Sequence, residues 1–231
     1  MTLRDSYERV LERVNNAALR AGRSPGEVRL MAVTKTVGEP VIAQAIAAGV
    51  RLLGENRVQE LARKRSALDL SGCEMHLIGH LQSNKTAGAV ACADMIQSVD
   101  SVRIAREISK ECVRQNRQMP VLLEVNIGRD PAKFGLLPEE TEPALAEIAA
   151  FPGISVRGLM TVPPFLEEEA QTKNFFSQMY RLFLDIRGKK MDNICMDILS
   201  MGMSGDFELA IAEGSSLVRV GSAIFGDRNY R

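Results

Sequence analysis

Lys35 is the residue whose type and position point most directly to chemistry. It follows the apolar run 30–33 and Thr34, and a glycine, a glutamate and a proline at positions 38–40 can open a helix soon after it. An unpaired ammonium group is costly to bury inside a strand. At the exit of a parallel strand, however, it reaches the crevice in which α/β proteins bind ligands. A lysine amine in such a crevice can condense with a carbonyl group. For this segment alone, an ordinary surface lysine is the alternative.

The last two apolar runs of the chain end in segments that suit a phosphate group. Glycines let backbone N–H groups approach an anion closely, and serines add hydroxyl donors. The residues concerned are Gly202, Ser204, Gly205, Gly221 and Ser222. The alternative is that the glycines mark turns and that Ser204 caps a helix. Asp206 and Glu208 favour that alternative, because acidic residues in a first helical turn oppose an anion.

An amine beside a phosphate site indicates a phosphorylated carbonyl compound held as an imine. Two classes of protein fit this chemistry. One is an aldolase-type enzyme that acts on sugar phosphates, and the other is a protein that holds pyridoxal 5′-phosphate (PLP). The residues considered so far leave both open.

Eight short apolar runs alternate with helical patterns, after an amphipathic helix at the N-terminus. Several runs are continuously apolar, as is typical of parallel strands covered on both faces. We predict an α/β fold, a single (β/α)8 TIM-type barrel with an extra N-terminal helix, forming one domain over residues 1–231. An open doubly wound sheet is the alternative. The predicted strands are 28–34, 51–54, 75–79, 95–99, 121–125, 155–161, 197–201 and 217–220.

Composition excludes several classes of function. With 29 basic and 29 acidic residues the net charge is zero, so nothing favours nucleic acid or an anionic membrane surface. Four scattered cysteines, no signal peptide and no apolar span predict a cytoplasmic protein. No cluster of further metal-ligating residues accompanies His76 and His80, so we expect no metal site. The run Lys64-Arg65 is interpreted as part of a solvated helix face.

Longer motifs resemble a known family. They occur in order along nearly the whole chain, at 32–36, 54–60, 76–85, 158–161, 199–204 and 218–226. The set closely resembles the PLP homeostasis proteins, relatives of the N-terminal barrel domain of alanine racemase. Two small departures are Phe207 after Asp206, and Phe134 between Lys133 and Gly135 where the family often has a small residue.

The resemblance implies a PLP site at the strand exits. Lys35 would hold PLP as an internal aldimine, and Arg219 would face the pyridine nitrogen. Ser204, Gly221 and Ser222, from the segments after the last two apolar runs, would hold the phosphate. Asn56 is expected to border the cofactor, with a helix cap as the alternative. Met201 is expected to pack on the ring, with filling of the barrel as the alternative.

We expect a carrier or buffer that acts in intracellular PLP (vitamin B6) homeostasis, not an enzyme. The alternative is a PLP-dependent amino-acid racemase of low activity. Two-base racemisation needs a second acid/base, which a tyrosine of the second domain supplies in alanine racemases. The chain ends directly after the eighth strand, and we expect Tyr7, Tyr180 and Tyr230 to lie away from the strand exits. Expected partners are PLP and PLP-dependent apo-enzymes, and the expected state is a monomer.

Overall fold

Eight parallel strands form a closed barrel in the computed structural model, which describes residues 2–164 and 168–226. Each strand pairs with its neighbour in sequence, and β8 pairs with β1 to close the sheet. The predicted (β/α)8 barrel is therefore confirmed, and the open doubly wound sheet is excluded. Closure removes both sheet edges, so no strand is left with a row of unpaired backbone groups.

Helices alternate with the strands and surround the barrel. The strands are β1 Arg29–Val33, β2 Leu52–Glu55, β3 Glu74–Leu77, β4 Met95–Val99, β5 Met119–Glu124, β6 Ile154–Met160, β7 Ile194–Ser200 and β8 Leu217–Val220. The helices are α1 Leu3–Arg20, α2 Glu39–Ala47, α3 Val58–Ala67, α4 Thr86–Cys92, α5 Val102–Arg114, α6 Pro138–Ile148, α7 Glu169–Gly188, α8 Phe207–Ala212 and α9 Ser222–Phe225. A short 3₁₀ turn, Ser83–Lys85, precedes α4.

The eight predicted strands correspond to the observed ones, and the largest difference is at β7. That strand begins at Ile194, three residues before the predicted start. Cys195 and Asp197 point to solvent in its first half, so the apolar run begins late. Such alternation of exposed and buried residues is typical of a strand whose outer face is exposed to solvent, here near its N-terminal end.

Two apolar layers follow from the alternation of side chains along the strands. The layer between barrel and helices is the larger one. The inner layer fills the barrel lumen and consists of Met31, Leu52, Met95, Leu122, Met160, Ile198 and Leu217. Every strand except β3 supplies one of these seven residues. Strand β3 instead places the imidazole of His76 at a buried position.

The predicted N-terminal helix is present as α1. Thr2 caps it, accepting from the Asp5 N–H while the Asp5 carboxylate accepts from the Thr2 N–H. Its buried face packs against α2, α8 and α9. The helix therefore extends the outer layer beside the β8–β1 seam. Among the described residues, no helix is long and apolar enough to cross a membrane.

Candidate functional site

The exits of β1 and β8 lie side by side at the mouth of the barrel. Met31 pairs with Arg219 and Ala32 with Val220 across the seam between these strands. The Thr34 N–H donates to the Gly54 carbonyl, so β1 stays in register one residue beyond its last assigned position. Strand alternation from Met31 then places half-buried Lys35 on the lumen face.

A buried ion pair lies behind the Lys35 segment. Lys64 Nζ donates to Glu55 Oε1 at 2.6 Å and to the carbonyl oxygen of Thr34 at 2.8 Å. The Thr34 hydroxyl donates to the same Glu55 oxygen at 2.5 Å. Neither Lys64 nor Glu55 is exposed to solvent. The interpretation of Lys64 as part of a solvated helix face is therefore wrong, because the acid that ends β2 draws its ammonium group inward.

Glu55 is only partly satisfied by this pair. Its second carboxylate oxygen, Oε2, is buried and has no hydrogen-bond partner among the described residues. Burial raises the pKa of Glu55, although hydrogen bonds from Lys64 and Thr34 oppose the shift. The arrangement fixes the backbone before Lys35 at the cost of a poorly solvated carboxyl group.

Arg219 is the buried cation of the lumen, with 4% of its surface exposed. Its NH1 group donates to Ser200 Oγ at 2.6 Å, and its NH2 group donates to the Thr161 carbonyl oxygen at 2.8 Å. Burial lowers the pKa of Arg219 to about 10, while Glu124 and Asp206 oppose the shift. The guanidinium therefore stays protonated at neutral pH. Both hydrogen bonds go to neutral oxygens, which hold the group without neutralising it.

The loops after β7 and β8 are joined through Ser204. Its hydroxyl oxygen accepts from the Gly221 N–H at 3.1 Å and from the Ala223 N–H at 3.5 Å. Ser204 and Gly221 are half-buried, whereas Ser222 is exposed. The residue before α8 is Asp206, so Ser204 is not the cap of that helix. Its hydroxyl lies at the exit of β8 instead.

Gly202 allows the loop after β7 to fold back on α8. Its φ of 93° lies in the left-handed region that glycine adopts without a steric penalty. A Cβ atom there would lie 2.5 Å from the Cβ of Ala210 and 3.0 Å from the Cα of Phe207. The glycine is therefore required by backbone conformation and by a close approach. Both requirements bring the loop that carries Ser204 toward the barrel mouth.

Asn56 and Met201 lie in different surroundings. Asn56 is half-buried and lines a groove of about 490 Å³ together with His80 and Lys85. The cap of α3 is Arg57, so the capping alternative for Asn56 is not observed. The Met201 side chain is fully buried in the layer between barrel and helices. Met201 therefore fills the core in this structure, and its contact with the PLP ring stays a prediction.

The loop after β5 covers part of the mouth. Phe134 stacks on His80 with a centroid separation of 3.6 Å, and His80 Nδ1 lies 2.8 Å from Asp100 Oδ2. Lys133 Nζ donates to the carbonyl oxygens of Val162 and Pro163, at 3.2 and 2.8 Å. The loop is thus tied to the exits of β3 and β6. No cluster of three metal-binding side chains occurs within residues 2–164 and 168–226.

Comparisons with known proteins agree with this geometry. The family model of the alanine racemase N-terminal domain matches residues 10–229. A pyridoxal phosphate homeostasis protein of Aquifex aeolicus (strain VF5) is 38% identical over 226 residues, which cover 98% of each chain. The chain belongs to the pyridoxal phosphate homeostasis protein family.

Two solved structures are similar over almost the full length. A protein from Bifidobacterium adolescentis described as unknown is 39% identical, with a TM-score of 0.90, and the match covers 96% of this chain and 94% of that one. PipY of Synechococcus elongatus PCC7942 with PLP bound is 35% identical, with a TM-score of 0.82, and the match covers 94% of this chain and all of that one. The family resemblance inferred from the motifs is therefore confirmed.

In this family member, the structure brings most of the predicted site residues to one end of the barrel. Lys35, Asn56, Ser204, Gly221 and Ser222 lie at the mouth, and Arg219 lies in the lumen near the same end. Sequence reasoning missed Lys64, Gln97 and Ser200. A usable signal existed for Gln97, since a long polar side chain stands within a short, mostly apolar run that becomes the fully buried strand β4. Buried polar side chains need partners, and one partner of Gln97 is Ser200, which accepts from Arg219.

Proposed function

We propose that this protein binds PLP at the mouth of the barrel and acts in PLP homeostasis as a carrier or buffer. The observation that carries the proposal is the β1–β8 seam. The register between Met31 and Arg219 sets Lys35 about four residues, or about 13 Å of strand, nearer the mouth than Arg219. The Lys35 amine and the buried Arg219 guanidinium therefore lie on adjacent strands and on the same lumen face, with the amine nearer the mouth.

The groups around this space match the parts of PLP. Lys35 offers an amine for the aldehyde, and Arg219 offers N–H donors for the ring nitrogen. Ser204 offers its hydroxyl proton to the phosphate, while its oxygen accepts from the Gly221 and Ala223 N–H groups and keeps the two loops together. Because Ser204 joins the two loops, both stay close enough to share one anion. PLP is also the ligand bound in the PipY structure.

Lys35 is proposed to hold PLP covalently. Its Nζ attacks the aldehyde carbon, a C=N bond forms, and the aldehyde oxygen leaves as water. The link is reversible by hydrolysis, so the protein can release what it holds. Reversible capture keeps the reactive aldehyde away from other amines, which suits a buffer or a carrier.

Arg219 favours carrier over catalyst. A protonated guanidinium donates to the ring nitrogen, so that nitrogen stays unprotonated. The bound ring is then a weak electron sink, unlike a ring whose nitrogen faces an aspartate. A racemase of low activity is the second candidate, because the alanine racemase N-terminal domain matches this chain. Tyr7 and Tyr180 lie on α1 and α7, as expected, and Tyr230 falls outside the described residues.

Cellular context forms part of the proposal. All four cysteines are unpaired, which is typical of a reducing compartment, and we place the protein in the cytoplasm. PLP-dependent apo-enzymes are the proposed recipients of the cofactor. We propose a monomer, because the residues of the proposed PLP site all come from one chain.

The test is an absorption spectrum of the purified protein with PLP, followed by borohydride reduction and peptide mass mapping. We expect a yellow protein whose reduced pyridoxyl adduct maps to Lys35. An adduct at another lysine, or a colourless protein, contradicts the proposal and brings back the sugar-phosphate alternative. Incubation with L- or D-alanine then separates the two candidates, because efficient Lys35-dependent interconversion would establish a racemase.

A further inference from the structure

A chain of hydrogen bonds between buried side chains starts at Arg219 and crosses the barrel. Arg219 NH1 donates to Ser200 Oγ at 2.6 Å, and Ser200 Oγ donates to Gln97 Oε1 at 2.8 Å. Gln97 Nε2 lies 2.9 Å from His76 Nδ1, and His76 Nε2 lies 3.0 Å from Glu74 Oε2. Side chains of four strands are thereby linked in one series.

The series runs through the lumen from the mouth toward the opposite end. Ser200 lies on β7 and Gln97 on β4, which are three strands apart in the closed sheet, so their hydrogen bond spans the interior. His76, Gln97 and Ser200 have no exposed surface. Glu74, at the first position of β3, is partly exposed and pairs with Arg29 at 2.7 Å.

The direction of every hydrogen bond follows from the two ends. Arg219 can only donate. The hydrogen bond from His76, with Arg29 nearby, lowers the pKa of Glu74 to about 2, so its carboxylate can only accept. Ser200 accepts from Arg219 and must therefore donate to Gln97 Oε1.

The two middle residues then have one arrangement each. The Gln97 amide turns its NH₂ group toward His76, so His76 Nδ1 accepts and its Nε2 carries the proton given to Glu74. Burial lowers the pKa of His76, which agrees with a neutral ring. The three members between the two ends therefore have one arrangement each, and the series fixes the orientation of their side chains.

The series is suited to positioning and not to proton transfer. The Gln97 amide holds its protons too tightly to relay them, and it stands in the middle of the series. A fully satisfied polar network in an apolar lumen is rigid, because any rotation leaves a buried group without a partner. Rigidity at Ser200 passes directly to the guanidinium that donates to it.

We propose that Ser200, Gln97 and His76 are positioning residues that fix the Arg219 guanidinium in the orientation in which it meets the PLP ring. The inference rests on the proposed function. It also assigns a role to the polar residues that replace part of the apolar filling of this barrel. Removing a link should loosen Arg219 and change both the cofactor spectrum and PLP affinity.

The first test needs no ligand. The sequence contains two histidines, so ¹⁵N spectra of the imidazoles are simple to assign, with His80 as the internal reference. We expect His76 to be neutral, with its proton on Nε2. In Gln97→Glu the carboxylate can still accept from Ser200, and its other oxygen requires a proton on His76 Nδ1. Both His76 nitrogens should then be protonated. A proton on His76 Nδ1 in the wild type would contradict the assigned direction.

The second test measures PLP binding at fixed pH. Gln97→Leu breaks two links, and Ser200→Ala removes the acceptor of Arg219 NH1 with a smaller change in volume. We expect about a tenfold weaker Kd in each and a shifted absorption maximum. Gln97→Glu should restore both toward the wild type. The matched control is Ser98→Ala, which removes a hydroxyl on the same strand whose hydrogen bond goes to the Gly79 carbonyl outside the series.

The outcomes separate the inference from the proposed function. If the wild type forms no Lys35 adduct, the proposed function fails. If the adduct forms, but folded Gln97→Leu or Ser200→Ala has the wild-type spectrum and Kd, the positioning role is wrong. Thermal unfolding identifies a variant that does not fold. If Gln97→Leu does not fold, PLP binding by Ser200→Ala and the His76 spectra still test the positioning role.

Discussion

Lys64 Nζ and Glu55 Oε1 are 2.6 Å apart, and both side chains are completely buried. The pair connects α3 to the exit of β2. Lys64 also donates to the carbonyl oxygen of Thr34, the residue directly before Lys35. The position of the proposed PLP-binding lysine therefore depends on an ion pair outside the barrel lumen. A buried pair adds little net stability, but losing one partner leaves a charge that cannot be solvated.

We predict that Lys64→Met lowers the free energy of unfolding by about 3–5 kcal/mol, because Glu55 loses its buried cation. Arg63→Met on the same helix is the matched control. Arg63 pairs with Glu39 and is 60% exposed, so its removal should cost about 0–1 kcal/mol. Urea denaturation at neutral pH measures both values. Equal small losses would mean that Glu55 does not depend on Lys64.

The pH dependence of the Lys64→Met deficit provides a second check. Burial raises the pKa of Glu55 above its ordinary value, and loss of Lys64 should raise it further. A group with a raised folded pKa binds its proton more tightly in the folded state, so the stability it contributes at low pH is lost as pH rises. The deficit should therefore be smaller at pH 5 than at pH 8.

Lys35→Ala should abolish the reducible PLP adduct while leaving weaker, non-covalent binding. The contacts proposed for the phosphate lie on β7 and β8 and do not depend on the amine. Lys85→Ala is the matched control, since Lys85 lies in the groove beside Asn56 and should leave the adduct in place. Mass mapping after borohydride reduction distinguishes them. A full-strength adduct in Lys35→Ala would assign the chemistry to another lysine.

Ser204→Ala tests the phosphate end of the site. It removes the acceptor of the Gly221 N–H, so the two loops should separate and PLP should bind about 5–10-fold more weakly. Pyridoxal, which lacks the phosphate, should lose much less affinity. Ser66→Ala on α3, whose hydroxyl donates to the Arg63 carbonyl at the surface, is the control. Equal losses for PLP and pyridoxal would place the phosphate elsewhere.

The eight strands and the helices between them were predictable from sequence because the strands are apolar runs separated by helical patterns. Buried parallel strands keep this signal even where single boundaries shift, as at β7. The exits followed from the strand count, which placed Lys35, Ser204 and Arg219 at one end. Barrel closure was not predictable from any local pattern, since pairing of β1 with β8 joins segments nearly 190 residues apart.

The supporting residues of the site were not predictable, for a related reason. Lys64 has the sequence context of an exposed helical lysine, and only the position of Glu55 on the neighbouring strand makes it buried. The Ser200–Gln97 contact crosses the lumen and joins two residues that are 103 positions apart in sequence. Polar residues within buried strands show that partners exist, but the pairing depends on the closed fold.

Glu124 gives a prediction for the stability of the mouth at different pH values. Burial, with the negative charge of Asp100, raises the pKa of Glu124 to about 7, while Arg219 and Lys133 oppose the shift. The folded pKa lies above the ordinary glutamate value of about 4.3 in the unfolded chain. The stability linked to this group is therefore present below the unfolded pKa and is lost as pH rises through about 7.

Glu124→Gln should remove that loss. The amide has nearly the same shape and stays neutral, so the variant should gain about 1–3 kcal/mol over the wild type at pH 8 and little at pH 5. Glu12→Gln, at an exposed position of α1, should keep the wild-type dependence. Urea denaturation at the two pH values measures the difference. If Glu124→Gln and the wild type lose stability equally between them, the Glu124 carboxylate is solvated or fully paired with Arg219, and the mouth carries no destabilising charge.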